Sequence, residues 1–139
     1  RSLWALEGMA PLTPLAEEVL ASFDRSPQKA VIWAGTAIPG DFARFAPAVF
    51  DHAERGDPLA AGILNDTAAD ATMLINRLIQ LGAPSVAMIG GVFPRLLPWL
   101  ATGARALLVE PESDAMDGAI LMAERALKGI GTDRPPALA

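Results

Sequence analysis

A chain of 139 residues is the size of one ordinary domain, and with 52% hydrophobic and 19% charged residues it can fill a core and is not of disordered composition. The net charge of −5, with no basic block, argues against nucleic acid as a main partner, because such binding leans on clustered Lys and Arg. Cys is absent, which excludes disulfides, thiolate metal sites and cysteine nucleophiles and makes a cytoplasmic protein the simplest reading.

Arg1 opens inside a helical pattern, Ser2 to Gly8, with no starting Met and no signal-peptide architecture. That reads as a chain cut from a longer protein. Thr13-Pro14 predicts an N-cap and a first-turn proline, followed by Leu15, Val19, Leu20 and Phe23 at helical spacing. Ser26-Pro27 restarts the pattern. The run Ala30 to Trp33 fits either a third helix or a short strand.

Pro39-Gly40 breaks the chain, and Asp41 is an N-cap candidate. Phe42, Phe45, Ala46, Val49 and Phe50 line a helical face that Pro47 kinks or divides and Gly56 stops. Gly56-Asp57-Pro58 is the clearest punctuation: stop, cap and first-turn proline in succession. A long helix to about Leu81 follows. Leu59, Ile63, Thr67, Ala71, Leu74 and Leu78 mark one face, widened by Leu64, Ile75 and Ile79; Gly82 ends it.

Ser85 to Ile89 is continuously apolar, so it reads as a parallel strand covered on both faces. Gly90-Gly91 turns the chain. Pro94 starts a helix with Leu96, Leu97 and Leu100, which Gly103 ends. Ala106 to Val109 reads as a second buried strand. Ser113 or Asp114 caps a last helix with Met116, Ala119, Ile120, Ala123 and Leu127, closed by Gly129; the tail 131–139, with Pro135-Pro136, reads as mobile. The reading is thus α/β: a helical part over about 1–82, then a βαβα unit over about 84–129 with a short parallel strand pair. Two parallel strands do not make a stable sheet alone, so they require neighbours, from the Ala30–Trp33 run or from sequence before Arg1.

The Gly90-Gly91 turn is the first candidate site. A strand ending in two glycines leaves backbone N–H groups unobstructed, so a flat or anionic ligand can approach closely. A plain tight turn is the competing reading. Asp114 and Asp117 offer a carboxylate pair, or an ordinary capped helix start; Gly118 suggests close packing of that helix on another backbone. Asp41-Phe42-Ala43-Arg44-Phe45 places an aromatic and a small residue at a helix start, which suits a flat-ligand wall or plain core. The lone His52, beside Asp51 and Glu54, reads as a solvated surface residue. Trp4, Trp33 and Trp99 read as core or interface anchors, and Asp57, Asp66 and Asp70 as capping or solvated residues. No residue stands out as a catalytic base, and no cluster as a metal site.

Four stretches together resemble the C-terminal part of the BadF/BadG/BcrA/BcrD-type ATPase family, and within it the N-acetylglucosamine and glucosamine kinases of the sugar kinase, Hsp70 and actin superfamily. Phe42-Ala43-Arg44-Phe45-Ala46-Pro47, then Ala53-Glu54-Arg55-Gly56-Asp57-Pro58-Leu59-Ala60, are similar to its helix junction; Val86 to Phe93 is similar to its adenosine motif; Asp117-Gly118-Ala119 is similar to its closing helix. The resemblance covers residues 1–128. It implies the later part of a ribonuclease-H-like, actin-like ATPase lobe. It further implies ATP and Mg²⁺ as cofactors, an amino sugar as substrate phosphorylated at its 6-hydroxyl, and a homodimer. By the match, Gly90 and Gly91 approach the adenosine and α-phosphate, Val92 opens the next helix, and Ala43 sits beside the adenine. The family's phosphate loops, catalytic Asp and sugar-contacting residues match nothing here, so the resemblance implies no catalytic residue in this chain and no activity for it alone. Two other readings stand beside it: an ATPase activator of a 2-hydroxyacyl-CoA dehydratase, whose cluster-binding Cys residues this chain lacks, and a non-catalytic helical binding or dimerisation module.

Overall fold

The protein is described here from a computed structural model, in which residues 1–128 are placed. Capping side chains set the starts of four helices. Helix α1 spans Ser2–Leu6, and Gly8 at φ +74° turns the chain out of it. Thr13 caps α2, Pro14–Ala21, with Pro14 in the first turn; Ser26 caps α3, Pro27–Thr36, in the same way. The ambiguous Ala30–Trp33 run is therefore helical. Helix α4, Pro39–Ala43, is followed by α5, Ala46–Glu54. Pro47 does divide this stretch, standing in the first turn of α5, where its missing N–H costs nothing. Asp41 is not an N-cap: it lies inside α4, and its carboxylate reaches back to accept the Ile38 N–H at 2.9 Å.

Gly56, at φ +85°, ends α5, and Asp57 caps α6, Pro58–Gln80, whose 23 residues extend about 35 Å. The α6 face turned to the core overlaps the expected one, since Leu64 and Ile75 are buried and Leu59, Ile63, Ala71 and Ile79 pack partly buried against the core, but it departs from it at the C-terminal end. Ala60, Leu64, Ala68 and Ile75 are buried, whereas Leu74 and Leu78 are exposed. The small Ala60 and Ala68 are fully enclosed on this face, while Leu74 and Leu78 stand outside it. The core joins Leu15 of α2, Phe50 and Ala53 of α5, this α6 stripe, and Val86, Leu96, Leu100 and Ala104 beyond it.

The expected parallel strand pair is present only as one isolated parallel bridge, between Val86 and Leu108, with the Val109 N–H donating to the Val86 carbonyl at 2.9 Å. Nor are both faces covered, since Val86 is buried but Ile89 is 61% exposed. The physical reason is that each segment is short and, among the described residues, neither has a second strand beside it. The helix expected after Pro94 is also broken. Helix α7 spans only Phe93–Leu96, a 3₁₀ turn covers Leu97–Trp99 around Pro98, and Gly103 lies inside α8, Thr102–Arg105, instead of ending a helix.

Asp114 caps the last helix, α9, Ala115–Leu127. It is amphipathic but buries none of its residues, with Met116 72% exposed. A side chain built on Gly118 would meet nothing within 4 Å, so the expected close backbone packing there is not found among the described residues. The expected stop at Gly129 and the tail 131–139 lie outside the described residues.

Candidate functional site

The glycine turn has a definite geometry. Gly90 takes φ +120°, a conformation that side-chain-bearing residues rarely adopt, and its carbonyl accepts the Phe93 N–H at 3.2 Å. Gly91 has no such constraint, and a Cβ added there would meet nothing within 4 Å. Neither backbone strain nor protein packing demands a glycine at 91; what its absent side chain leaves open is the space in front of it. Because α7 is four residues long, the turn offers approachable backbone and not a strong helix dipole.

That space is a small pocket of about 190 Å³ between the turn and the α4–α5 junction, lined by Ala43, Ala46, Pro47, Phe50, Gly91, Val92 and Arg95. Three of the four residues singled out from the sequence, Ala43, Gly91 and Val92, are brought together in it. Gly90 lines a neighbouring cavity of about 500 Å³ with Met88, Ile89, Ser113, Asp114 and Met116. The two cavities flank the turn, one on each glycine. A groove of about 820 Å³ runs along the second half of α6 beside Trp99 and includes none of the four.

An aromatic cluster holds α4 in place. Trp33 of α3 meets Phe42 at 4.8 Å, Phe23 at 5.1 Å and Phe45 at 5.9 Å between ring centroids, and the Arg44 guanidinium lies 5.2 Å from the Trp33 ring. Trp33 and Trp99 are half-buried, whereas Trp4 is exposed.

Arg95 was not legible as a site residue. Its Nη2 donates to Asp51 Oδ1 and to Glu54 Oε1, each at 2.7 Å, and its guanidinium lies 4.8 Å from the Phe50 ring. Hydrogen bonds to Glu54 and Asp51 hold it more firmly protonated than an ordinary arginine. The partners are distant in sequence, so no spacing signals the pairing.

Two further polar residues differ from the sequence reading or exceed it. His52 is not on the surface: it is 7% exposed, and its Nε2 lies 2.7 Å from Glu18 Oε2, tying α5 to α2. At about 100° per residue His52 points away from Phe50 round α5 and is buried because α2 covers that side. Asp57 is 5% exposed and does more than cap α6. One oxygen accepts the Leu59 and Ala60 N–H groups at 2.9 and 3.0 Å; the other accepts the Leu15 N–H of α2 at 2.9 Å. Burial pushes its carboxyl up, but hydrogen bonds from Leu15, Ala60, Thr13 and Leu59 outweigh this and hold it below the ordinary aspartate value.

Asp114 spends one oxygen on the Met116 and Asp117 N–H groups at 2.8 and 2.9 Å, as a cap does. Among the described residues, no group of three or more His, Cys, Asp or Glu side chains is placed to hold a metal ion, and no helix is long and apolar enough to cross a membrane.

Comparison with known proteins points to the kinases that phosphorylate amino sugars. The chain is 38% identical over 121 residues to the glucosamine kinase GspK of Vibrio cholerae, a match covering 87% of this chain and 41% of that protein. It also superposes with a TM-score of 0.75, at 36% identity, on a crystal structure from Chromobacterium violaceum described provisionally as an N-acetylglucosamine kinase, covering 87% of this chain and 42% of that one. The chain thus spans about two-fifths of the length of each. No family model matches it. The helix-rich fold is that of part of such a kinase, in agreement with the resemblance read from the motifs.

Proposed function

We propose that this chain supplies the nucleoside-holding part of an ATP-dependent amino-sugar kinase, which transfers the γ-phosphoryl group of ATP to the 6-hydroxyl of glucosamine or N-acetylglucosamine. The observation that carries this is the pocket in which Ala43 and Ala46 of the α4–α5 junction face Gly91 and Val92 of the glycine turn. Small residues on both walls leave room for a flat ring. The names of the two similar proteins supply the substrate class.

In this reading residues 1–130 belong to the later part of an actin-like lobe, with 84–129 as its βαβα unit, and the Val86–Leu108 bridge is where two core strands would run if a neighbouring strand lay beside them. Ala43, Gly91 and Val92 hold the adenine and ribose, and Gly90 faces the α-phosphate. The magnesium ion that accompanies ATP finds no carboxylate cluster among the described residues. In the resemblance its ligands are the phosphates, water and residues of the family's phosphate loops, which match nothing here. The family's catalytic base and sugar contacts match nothing here either. Lobe closure over the substrates would exclude water, and catalysis would rest on positioning and charge neutralisation. A cytoplasmic homodimer is the assembly we expect.

The test is ADP release by the intact protein in the presence of ATP, Mg²⁺ and either glucosamine or N-acetylglucosamine. Stimulation by an amino sugar and not by glucose supports the reading. No stimulation by either amino sugar overturns it.

A further inference from the structure

Arg95 stands in the pocket wall with most of its hydrogen-bonding capacity unspent. Both of its ion-pair bonds are made by Nη2, so among the described residues the Nη1 and Nε groups donate to no protein acceptor. An arginine carries five N–H donors in a rigid planar fork, which leaves three here for a ligand. The side chain is nonetheless held. Asp51 and Glu54 grip one edge from α5, and the Phe50 ring, buried in the core, lies against one face. An exposed arginine normally gives up much side-chain freedom on binding; this one has already given it up.

The local charge indicates what such a group would take. One guanidinium sits between two carboxylates, so the cluster is net negative by one charge and does not attract a phosphate strongly. A neutral partner with hydrogen-bond acceptors and a flat face suits it better. A nucleoside has both, in the ring nitrogens of the base and the ribose oxygens. We infer that Arg95, clamped by Asp51, Glu54 and Phe50, is a nucleoside-binding residue: its free N–H edge and open face take the base and ribose of the nucleotide, opposite Ala43, Gly91 and Val92. This rests on the nucleotide reading above and adds to it a polar contact that the glycine turn lacks.

The test uses the intact protein and reads affinity for adenosine and for ADP separately by calorimetry, with ATP and amino-sugar kinetics alongside. Arg95→Met keeps the length of the side chain but removes the fork. It should weaken adenosine and ADP alike, by roughly tenfold, and raise KM for ATP while kcat and KM for the amino sugar stay within about twofold. Arg95→Lys keeps the charge but not the planar fork, and should behave as Arg95→Met does. The double change Asp51→Asn with Glu54→Gln leaves Arg95 in place but less firmly held, and should weaken adenosine by a smaller factor; it also serves if Arg95→Met does not fold. Loss of ADP affinity with adenosine affinity unchanged would overturn the inference in favour of a phosphate contact. Unchanged affinity for both ligands in folded Arg95→Lys would overturn it outright. If the wild-type protein binds no nucleotide, the functional reading itself fails.

Discussion

The Asp57 carboxylate accepts the Leu15 N–H at 2.9 Å, so the residue that caps α6 also ties down the start of α2. One buried side chain thereby satisfies donors at two helix N-termini that have no intrahelical partners. Replacing it by Ala leaves those donors buried and unpaired. Asp57→Ala should cost about 3 kcal/mol in denaturant unfolding, and Asp57→Asn, which keeps one acceptor oxygen, clearly less.

The same carboxylate gives a pH dependence. Its folded value lies below the ordinary one, so the folded state gains from its ionisation. That contribution is complete above the unfolded value of about 4 and is lost as pH falls through the lower folded value. Thermal unfolding followed from pH 6 down to pH 2, each being roughly either side of that window, should show a steeper loss for the wild type than for Asp57→Asn. Parallel curves would refute the assignment.

His52 joins α5 to α2 through Glu18, but the two partners are unequal, since His52 is buried and Glu18 is largely exposed. His52→Ala opens a gap and should cost about 2 kcal/mol. Glu18→Ala should cost under about 1 kcal/mol, because water can replace the lost acceptor. Urea midpoints of the two variants check the ordering.

Gly90 and Gly91 are glycines for different reasons, and substitution should separate them. Gly90→Ala forces a side chain into a φ of +120° and should destabilise the fold by about 1–3 kcal/mol. Gly91→Val meets open space and should leave the melting temperature nearly unchanged. It fills the pocket, however, and should raise KM for ATP roughly tenfold in the intact protein. A Gly91→Val protein with normal nucleotide affinity would make the turn a plain turn.

Trp33 acts on the pocket from a distance. Its contacts with Phe42 and Phe45 bracket Ala43. Trp33→Leu should cost roughly 2 kcal/mol and raise KM for ATP together, whereas a change in stability alone would separate the cluster from the site.

Much of the local structure was written in short-range chemistry. Thr13-Pro14, Ser26-Pro27 and Gly56-Asp57-Pro58 each satisfy helix ends within a few residues, so the helix starts could be read directly. Gly90 could be read as a turn for the same reason. Where contacts between distant groups decide, the pattern was met only in part. The apolar runs Ser85–Ile89 and Ala106–Val109 have strand composition, but a strand exists only through its neighbours, and here a single bridge joins them. On α6 Leu64 and Ile75 face the core as their spacing suggested, but Leu74 and Leu78 are exposed and Ala60 and Ala68 are buried in addition.

The sequence by itself determined the capped starts of α2, α3, α6 and α9, the glycine turn and the likeness to amino-sugar kinases, because caps, stops and motifs act over a few residues. Only the tertiary structure decided that Ala43 faces Gly91 and Val92, that His52 is inside, that Asp57 serves two helices and that Arg95 is gripped by Asp51 and Glu54. Each of those depends on burial and on the packing of α5 against α2, α6 and α7, which bring together groups that no local pattern connects.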